Sequence, residues 1–305
     1  MKNRTHGPKQ YQSERMDPAD LVLFNAAAGG REANDANNTK REHMIIAILN
    51  ADPRVAGAEW DGLRGRLNAW VTAKKAELGL PPETPHSAIR RAGRRYNWDF
   101  DLRLGATILK CEFKFGATSV DSLPEFFNPA AKYDFHGGES YARFFFANYL
   151  SRVCELYAVP LTTMSEDEYW RKVHGTSKKP ALFQALYDAE NNGTAEQKAQ
   201  KKAIVDESIA AWLERVKEKT NIAAITAAFQ KSQAGKQFML CSEGQFCSDK
   251  IDPEELVITG VIGVRLGKYL VLQSAKPGTT HEMLLRWKNH AGILYPAWQI
   301  SLRRA

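Results

Sequence analysis

The chain is poor in cysteine: four residues in 305, Cys111, Cys154, Cys241 and Cys247. Five residues, SEGQF, separate the last two, and no paired histidine follows. That is not a zinc-site spacing, and so few scattered thiols exclude a disulfide-stapled secreted domain. Reduced thiols in an intracellular protein are expected. No apolar run approaches the ~18 residues of a membrane helix, and no secretory leader is legible, so a soluble chain with no membrane partner is expected. A Walker loop, a GxGxxG turn and internal repeats are also missing, which removes the usual nucleotide-binding and solenoid classes and leaves no reason to expect a small-molecule cofactor.

What is present is enough apolar residue, 44%, to bury a large core in one or two domains. The formal net charge is +7 and the pI about 9.1, a balance that favours a polyanionic partner. Between Leu256 and Ala305 seven Lys/Arg face a single acid, Glu282. The segment 284–298, LLRWKNHAGILYPAW, interleaves Arg286 and Lys288 with Trp287, Tyr295 and Trp298. Charge for phosphate and rings for stacking make this a candidate nucleic-acid surface, although Trp287 and Trp298 would serve equally as core anchors.

The most informative stretch is Tyr96 to Gly116. Trp98, Phe100, Leu102 and Leu104 alternate with polar residues, Gly105-Ala106-Thr107 interrupts, and Ile108 to Phe115 alternates again. This pattern predicts two half-buried strands joined by a short turn. Side-chain period two puts Phe100, Leu102, Leu104, Leu109, Cys111 and Phe113 on one face and Asp99, Asp101, Lys110, Glu112 and Lys114 on the other. Asp99 then lies across from Glu112. Gathered acids are costly unless something binds them. Mg²⁺, with Mn²⁺ as a substitute, takes one or two carboxylates plus carbonyl, water and phosphate oxygens, so Asp99 (or Asp101), Glu112 and the Phe113 carbonyl suit it. Lys114 would help an attacking water or neutralise phosphate. A solvated sheet face carrying local ion pairs is the plainer reading of the same pattern.

Asp99 followed by Glu112-Phe113-Lys114 on a hairpin resembles the PD-(D/E)XK nuclease superfamily over about residues 40 to 155. The resemblance implies a restriction-endonuclease-like α/β core, a central mixed sheet flanked by helices. It implies a Mg²⁺-dependent DNA endonuclease of restriction or homing type in which Asp99 and Glu112 bind the metal and Lys114 assists the water. A repair or resolvase nuclease, a protein that binds nucleic acid without cutting it, and an RNA substrate are the alternatives. A cutter of both strands usually needs two sites, which makes a homodimer plausible. The superfamily often places a glutamate on an early core helix, for which Glu42 is the candidate, with Glu32 and Glu59 as competitors. Asn97-Trp98 departs from the proline often found before the first acid.

Elsewhere the spacing predicts a frayed N-terminus to Pro18, a short helix over 20–28, a polar loop over 31–38, a helix through Ile45, Ile46 and Leu49, and a helix over 58–78. His86 to Arg95 reads as a helix with Arg90, Arg91, Arg94 and Arg95 on one phosphate-facing side. A core helix over 141–157 is expected to cover the sheet, followed by four helical segments between Met164 and Ala234 and short strands after 236. The expected organisation is a flexible end at 1–18, a nuclease core at 19–160, a helical subdomain at 161–235 and a basic β-rich region at 236–305.

Overall fold

A computed structural model describes residues 16–25, 31–91, 96–122, 124–127, 135–161, 164–174, 181–290 and 293–305. In chain order the elements are α1 (Arg31–Leu49), α2 (Asp61–Glu77), β1 (His86–Arg90), β2 (Phe100–Leu104), β3 (Thr107–Phe115) and β4 (Pro124–Phe127). Then follow α3 (Tyr141–Asn148), α4 (Leu150–Leu156), α5 (Glu166–His174), α6 (Ala181–Asn192), α7 (Ala195–Val216) and α8 (Ile222–Gln233). The last part comprises β5 (Lys236–Ser242), β6 (Gln245–Asp249), β7 (Ile258–Arg265), β8 (Tyr269–Ser274), β9 (Thr279–His290) and β10 (Ile293–Arg304). Among the described residues no helix is long and apolar enough to cross a membrane. The fold is mixed α/β and holds two separate five-stranded sheets.

The chain forms two compact units, residues 1–120 with 235–250 and residues 121–234 with 251–305. This division differs from the one expected along the sequence. Contiguous segments were expected to form separate bodies, but strand pairing recruits β5 and β6 back to the first unit, a long-range choice that local composition does not encode. Lys and Arg outnumber Asp and Glu by five in the first unit and by two in the second.

In the first unit the order is β1-β2-β3-β5-β6, antiparallel except for the β3–β5 pair. The β2–β3 turn works because Gly105 takes φ +57°, a conformation other residues adopt only at a cost. The apolar face forms as the period-two pattern requires: Phe100, Leu102, Leu104, Cys111 and Phe113 are buried together with Ile45 and Ile48 of α1 and Leu63, Leu67 and Trp70 of α2. Each fully buried side chain of this size contributes about 1.5–3 kcal/mol. β5 and β6 meet at Glu243-Gly244, both with positive φ (+49° and +74°), as a tight hairpin turn demands.

Two local expectations fail here. Residues 31–38 are not a loop but the first two turns of α1; alanine and glutamate among the asparagines suffice once the downstream apolar stripe anchors the helix. His86–Arg90 is not a helix but the edge strand β1, paired with β2 from His86↔Leu104 to Arg90↔Phe100. Pairing with β2 and burial of Ala88 override the helix propensity of the arginines. Asn50 closes the free edge of this strand: its amide group donates to the Ala88 carbonyl (2.9 Å) and its amide oxygen accepts the Ala88 N–H (2.7 Å). Asn50→Ala should lower stability by about 1–2 kcal/mol in urea melts, from the loss of two partly buried hydrogen bonds.

In the second unit an antiparallel sheet ordered β4-β10-β9-β8-β7 shares a core with α3 to α8, centred on Phe145, Tyr169, Trp212, Leu213, Phe229, Leu270, Met283 and Trp298. The expected helix over 141–157 is present as two, broken at Tyr149, and its core residues belong to this unit rather than to the sheet of the first unit. The basic excess of the C-terminal strands is largely consumed within the unit. Arg265 and Arg303 both pair with Glu282, Arg304 and Lys276 with Glu255, and Lys268 with Asp206. The four cysteines are free thiols.

Candidate active site

The antiparallel register sets Phe100 opposite Cys111. One residue further, the Asp99 N–H donates to the Cys111 carbonyl (2.9 Å), so Asp99 and Glu112 are cross-strand neighbours at the open end of the β2–β3 pair. The Asp99 carboxylate folds back onto β3, where Oδ2 accepts the Phe113 N–H at 2.8 Å. The Phe113 ring is buried in the core, which holds the backbone between Glu112 and Lys114 in place.

Glu112 is buried and held between two ammonium groups. Lys114 Nζ lies 2.6 Å from Oε1, and Lys236 Nζ lies 3.5 Å from Oε2. Lys236 begins β5 and pairs in parallel register with Lys110, which places it on the acidic face of the sheet. Its side chain is 2% exposed. Sequence reasoning missed it, because a single lysine remote from the hairpin carries no local signal.

Glu42 reaches the same cluster from α1. It stands three and seven residues before Ile45 and Leu49, on the buried stripe of that helix. An acid within an apolar stripe was the legible sign. Its Oε2 is buried without a hydrogen bond, and Arg90 Nη2 is 3.7 Å away. Burial, with the charges of Asp99 and Glu112 added, pushes the Glu42 carboxyl up to about 8, against the pull of Arg90 and Lys114. Burial and the charge of Glu112 push Asp99 up to about 6, opposed by the Phe113 N–H, Lys114 and Lys236. Glu42 and Asp99 thus share one electrostatic site, in which burial and neighbouring negative charge disfavour their ionisation. The competitors of Glu42 do not join them: Glu59 is exposed on a short 3-10 turn, and the Glu32 side chain lies outside the described residues.

Asp101 is held by other partners. Its Oδ2 accepts from Arg91 Nε at 2.7 Å and its Oδ1 from Trp98 Nε1 at 2.8 Å. Both oxygens are engaged by donors that do not touch Glu112, which sets Asp101 with Arg91 and Trp98 and makes Asp99 the nearer of the two aspartates to Glu112. Arg90 and Arg91 do not lie on a helix. Arg90 turns to Glu42 and Arg91 to Asp101, as alternate positions of an extended chain do. Arg94 and Arg95, and the side chains of Arg286 and Lys288, lie outside the described residues.

Among the described residues no group of three or more His, Cys, Asp or Glu side chains is gathered closely enough to hold a metal ion alone. Mg²⁺ does not require one: two carboxylates, a carbonyl and waters complete its oxygen shell. Asp99, Glu112 and the Phe113 carbonyl are oxygen groups of those types on neighbouring strand positions, and Glu42 Oε2 is buried without a hydrogen bond, its nearest cation Arg90 at 3.7 Å. Searches against protein-family models, curated proteins and solved structures find no match to the chain.

Proposed function

We propose that the first unit is a restriction-endonuclease-like core and that the chain is a Mg²⁺-dependent DNA endonuclease, of restriction or homing type or of the repair and resolvase kind. One observation carries this reading: Asp99 and Glu112 face each other from adjacent strands, with Lys114 beside them and a third acid, Glu42, pressed into the same cluster.

Asp99 and Glu112, with the Phe113 carbonyl, are the residues that would hold the ion. When bound, the ion supplies Lewis-acid stabilisation of the phosphate and lowers the proton affinity of a water. The Phe113 N–H fixes the orientation of Asp99. Lys236 supports Glu112 from the neighbouring strand, which leaves Lys114 able to exchange its contact with Glu112 for one with an attacking water or a phosphate oxygen. Arg90 and Arg91 supply further positive charge beside the site. A homodimer would bring two such sites to the two strands of a duplex.

Purified protein should convert supercoiled plasmid to nicked or linear forms with Mg²⁺ or Mn²⁺ and leave it intact in EDTA. A protein that binds DNA but never nicks it, across metals and substrates, would overturn the hydrolase reading. It would support a second one, favoured by the capture of both Glu112 oxygens by lysine: a nucleic-acid-binding protein whose acidic cluster is a structural ion-pair network.

A further inference from the structure

Beside the acids, two aromatic rings on the segment that leads into β2 and two cations, Arg91 before it and Lys110 on β3, form a second cluster, of which the proposed chemistry uses only the charge of Arg91. The Tyr96 and Trp98 rings meet edge to face with centroids 5.2 Å apart and planes inclined at 71°. The Arg91 guanidinium lies over the Tyr96 ring at 5.2 Å, and the Lys110 ammonium over the Trp98 ring at 5.0 Å. Both rings keep part of their surface in solvent, and Lys110 is exposed.

The cluster is built rather than incidental. Asp101, 6% exposed, accepts from both the Trp98 indole N–H and the Arg91 guanidinium, so one buried carboxylate fixes a ring and a cation at once. This accounts for the second aspartate of the DFD sequence: Asp99 faces the acid cluster, and Asp101 is the post on which the aromatic cluster is mounted. The backbone ties the two together, since the Arg91 N–H donates to the Asp99 carbonyl at 2.7 Å.

We infer that Tyr96 and Trp98, with Arg91 and Lys110, form a stacking platform for unpaired nucleobases immediately beside Asp99. Rings paired with cations bind the faces of bases and the phosphates between them without regard to sequence. In an intact duplex those faces are covered by neighbouring base pairs, so the platform selects single-stranded or locally opened nucleic acid. As a statement about substrate this rests on the nuclease reading, and it narrows that reading toward strands that carry unpaired bases. As a binding surface it stands without metal.

The test is therefore made in EDTA, with the full chain and fluorescein-labelled oligothymidylate, alone or annealed to its complement, followed by fluorescence anisotropy. The single strand should bind more tightly than the duplex. Trp98→Ala should weaken single-strand binding about ten- to a hundredfold, as loss of base stacking does, with little change on the duplex. Trp98→Phe, which keeps a ring while giving up the bond to Asp101, guards against a folding defect and should retain most of the affinity. Equal binding of both forms, or single-strand affinity unchanged in Trp98→Ala and Tyr96→Ala, would show that the rings only pack against their own cations and would overturn the platform. A chain that binds single strands through Trp98 but never cuts with Mg²⁺ would keep the platform and overturn the nuclease. Cutting that ignores both ring substitutions would do the reverse.

Discussion

Asp99→Asn should reduce Mg²⁺-dependent cleavage on the order of a thousandfold or more, with the fold and DNA binding retained. The amide is isosteric, and its oxygen can still accept the Phe113 N–H that Asp99 now holds at 2.8 Å, so the backbone of β3 stays in place. What disappears is the charge that would hold a divalent ion beside the scissile phosphate, and electrostatic stabilisation of that kind is commonly the largest single contribution to rate. Glu112→Gln should have a similar effect, with some loss of stability because Lys114 and Lys236 would lose their shared carboxylate. Lys114→Met separates the roles: cleavage falls while Mn²⁺ binding, measured by calorimetry, persists. Asp101→Asn provides the contrast, since it sits on Arg91 and Trp98 and should leave metal binding intact. Cleavage at the wild-type rate by both Asp99→Asn and Glu112→Gln would remove these residues from any catalytic role.

In metal-free buffer at pH 8, Glu42→Gln should be more stable than the natural chain, by about 2–4 kcal/mol given roughly 1.4 kcal/mol per unit of pKa change. The direction follows from the site. Burial and the neighbouring acids raise the Glu42 carboxyl from its ordinary 4.5 to about 8 in the folded chain, and raise Asp99 from 3.8 to about 6. A carboxyl raised by folding holds its proton longer in the folded chain than in the unfolded one. Its contribution to stability is therefore complete below the ordinary value and is lost as pH rises through the folded value. For Glu42 the losing window runs from about 4.5 to about 8. Glutamine carries no proton to lose, so the variant should show a flatter stability profile across that window and match the natural chain near pH 4. On the proposed reading Mg²⁺ would bind only the folded chain and should recover part of the loss in the natural protein. Urea melts at several pH values with EDTA or Mg²⁺ check this, and a Glu42→Gln protein less stable than the natural one at pH 8 would show that Arg90 compensates the charge fully.

These two expectations draw on different kinds of information. The hairpin was readable because its determinants are local: period-two alternation from Phe100 to Phe115, interrupted at Gly105, decides which side chains can be buried, and burial of the apolar set carries Asp99 and Glu112 to the opposite face together. The segments around α5 to α8 and the β7–β8 turn at Arg265–Tyr269 were readable for the same reason. Where local propensity competed with tertiary pairing, it lost. The arginine-rich run at His86 formed a strand because β2 offered it an edge, and the polar asparagines after Arg31 were drawn into α1 by the stripe that follows them.

By itself the sequence determined the alternation that buries one face of β2 and β3, the acids and lysine that share the other face, and the helical character of the middle of the chain, because each is set by neighbours a few residues apart. Only the tertiary structure decided that Lys236 stands behind Glu112, that Glu42 enters the acid cluster, that Asp101 serves Arg91 and Trp98, and that the C-terminal arginines are taken up by Glu255 and Glu282. Each of these pairings joins residues on different elements, and it exists only once burial has brought those elements within reach of a charge.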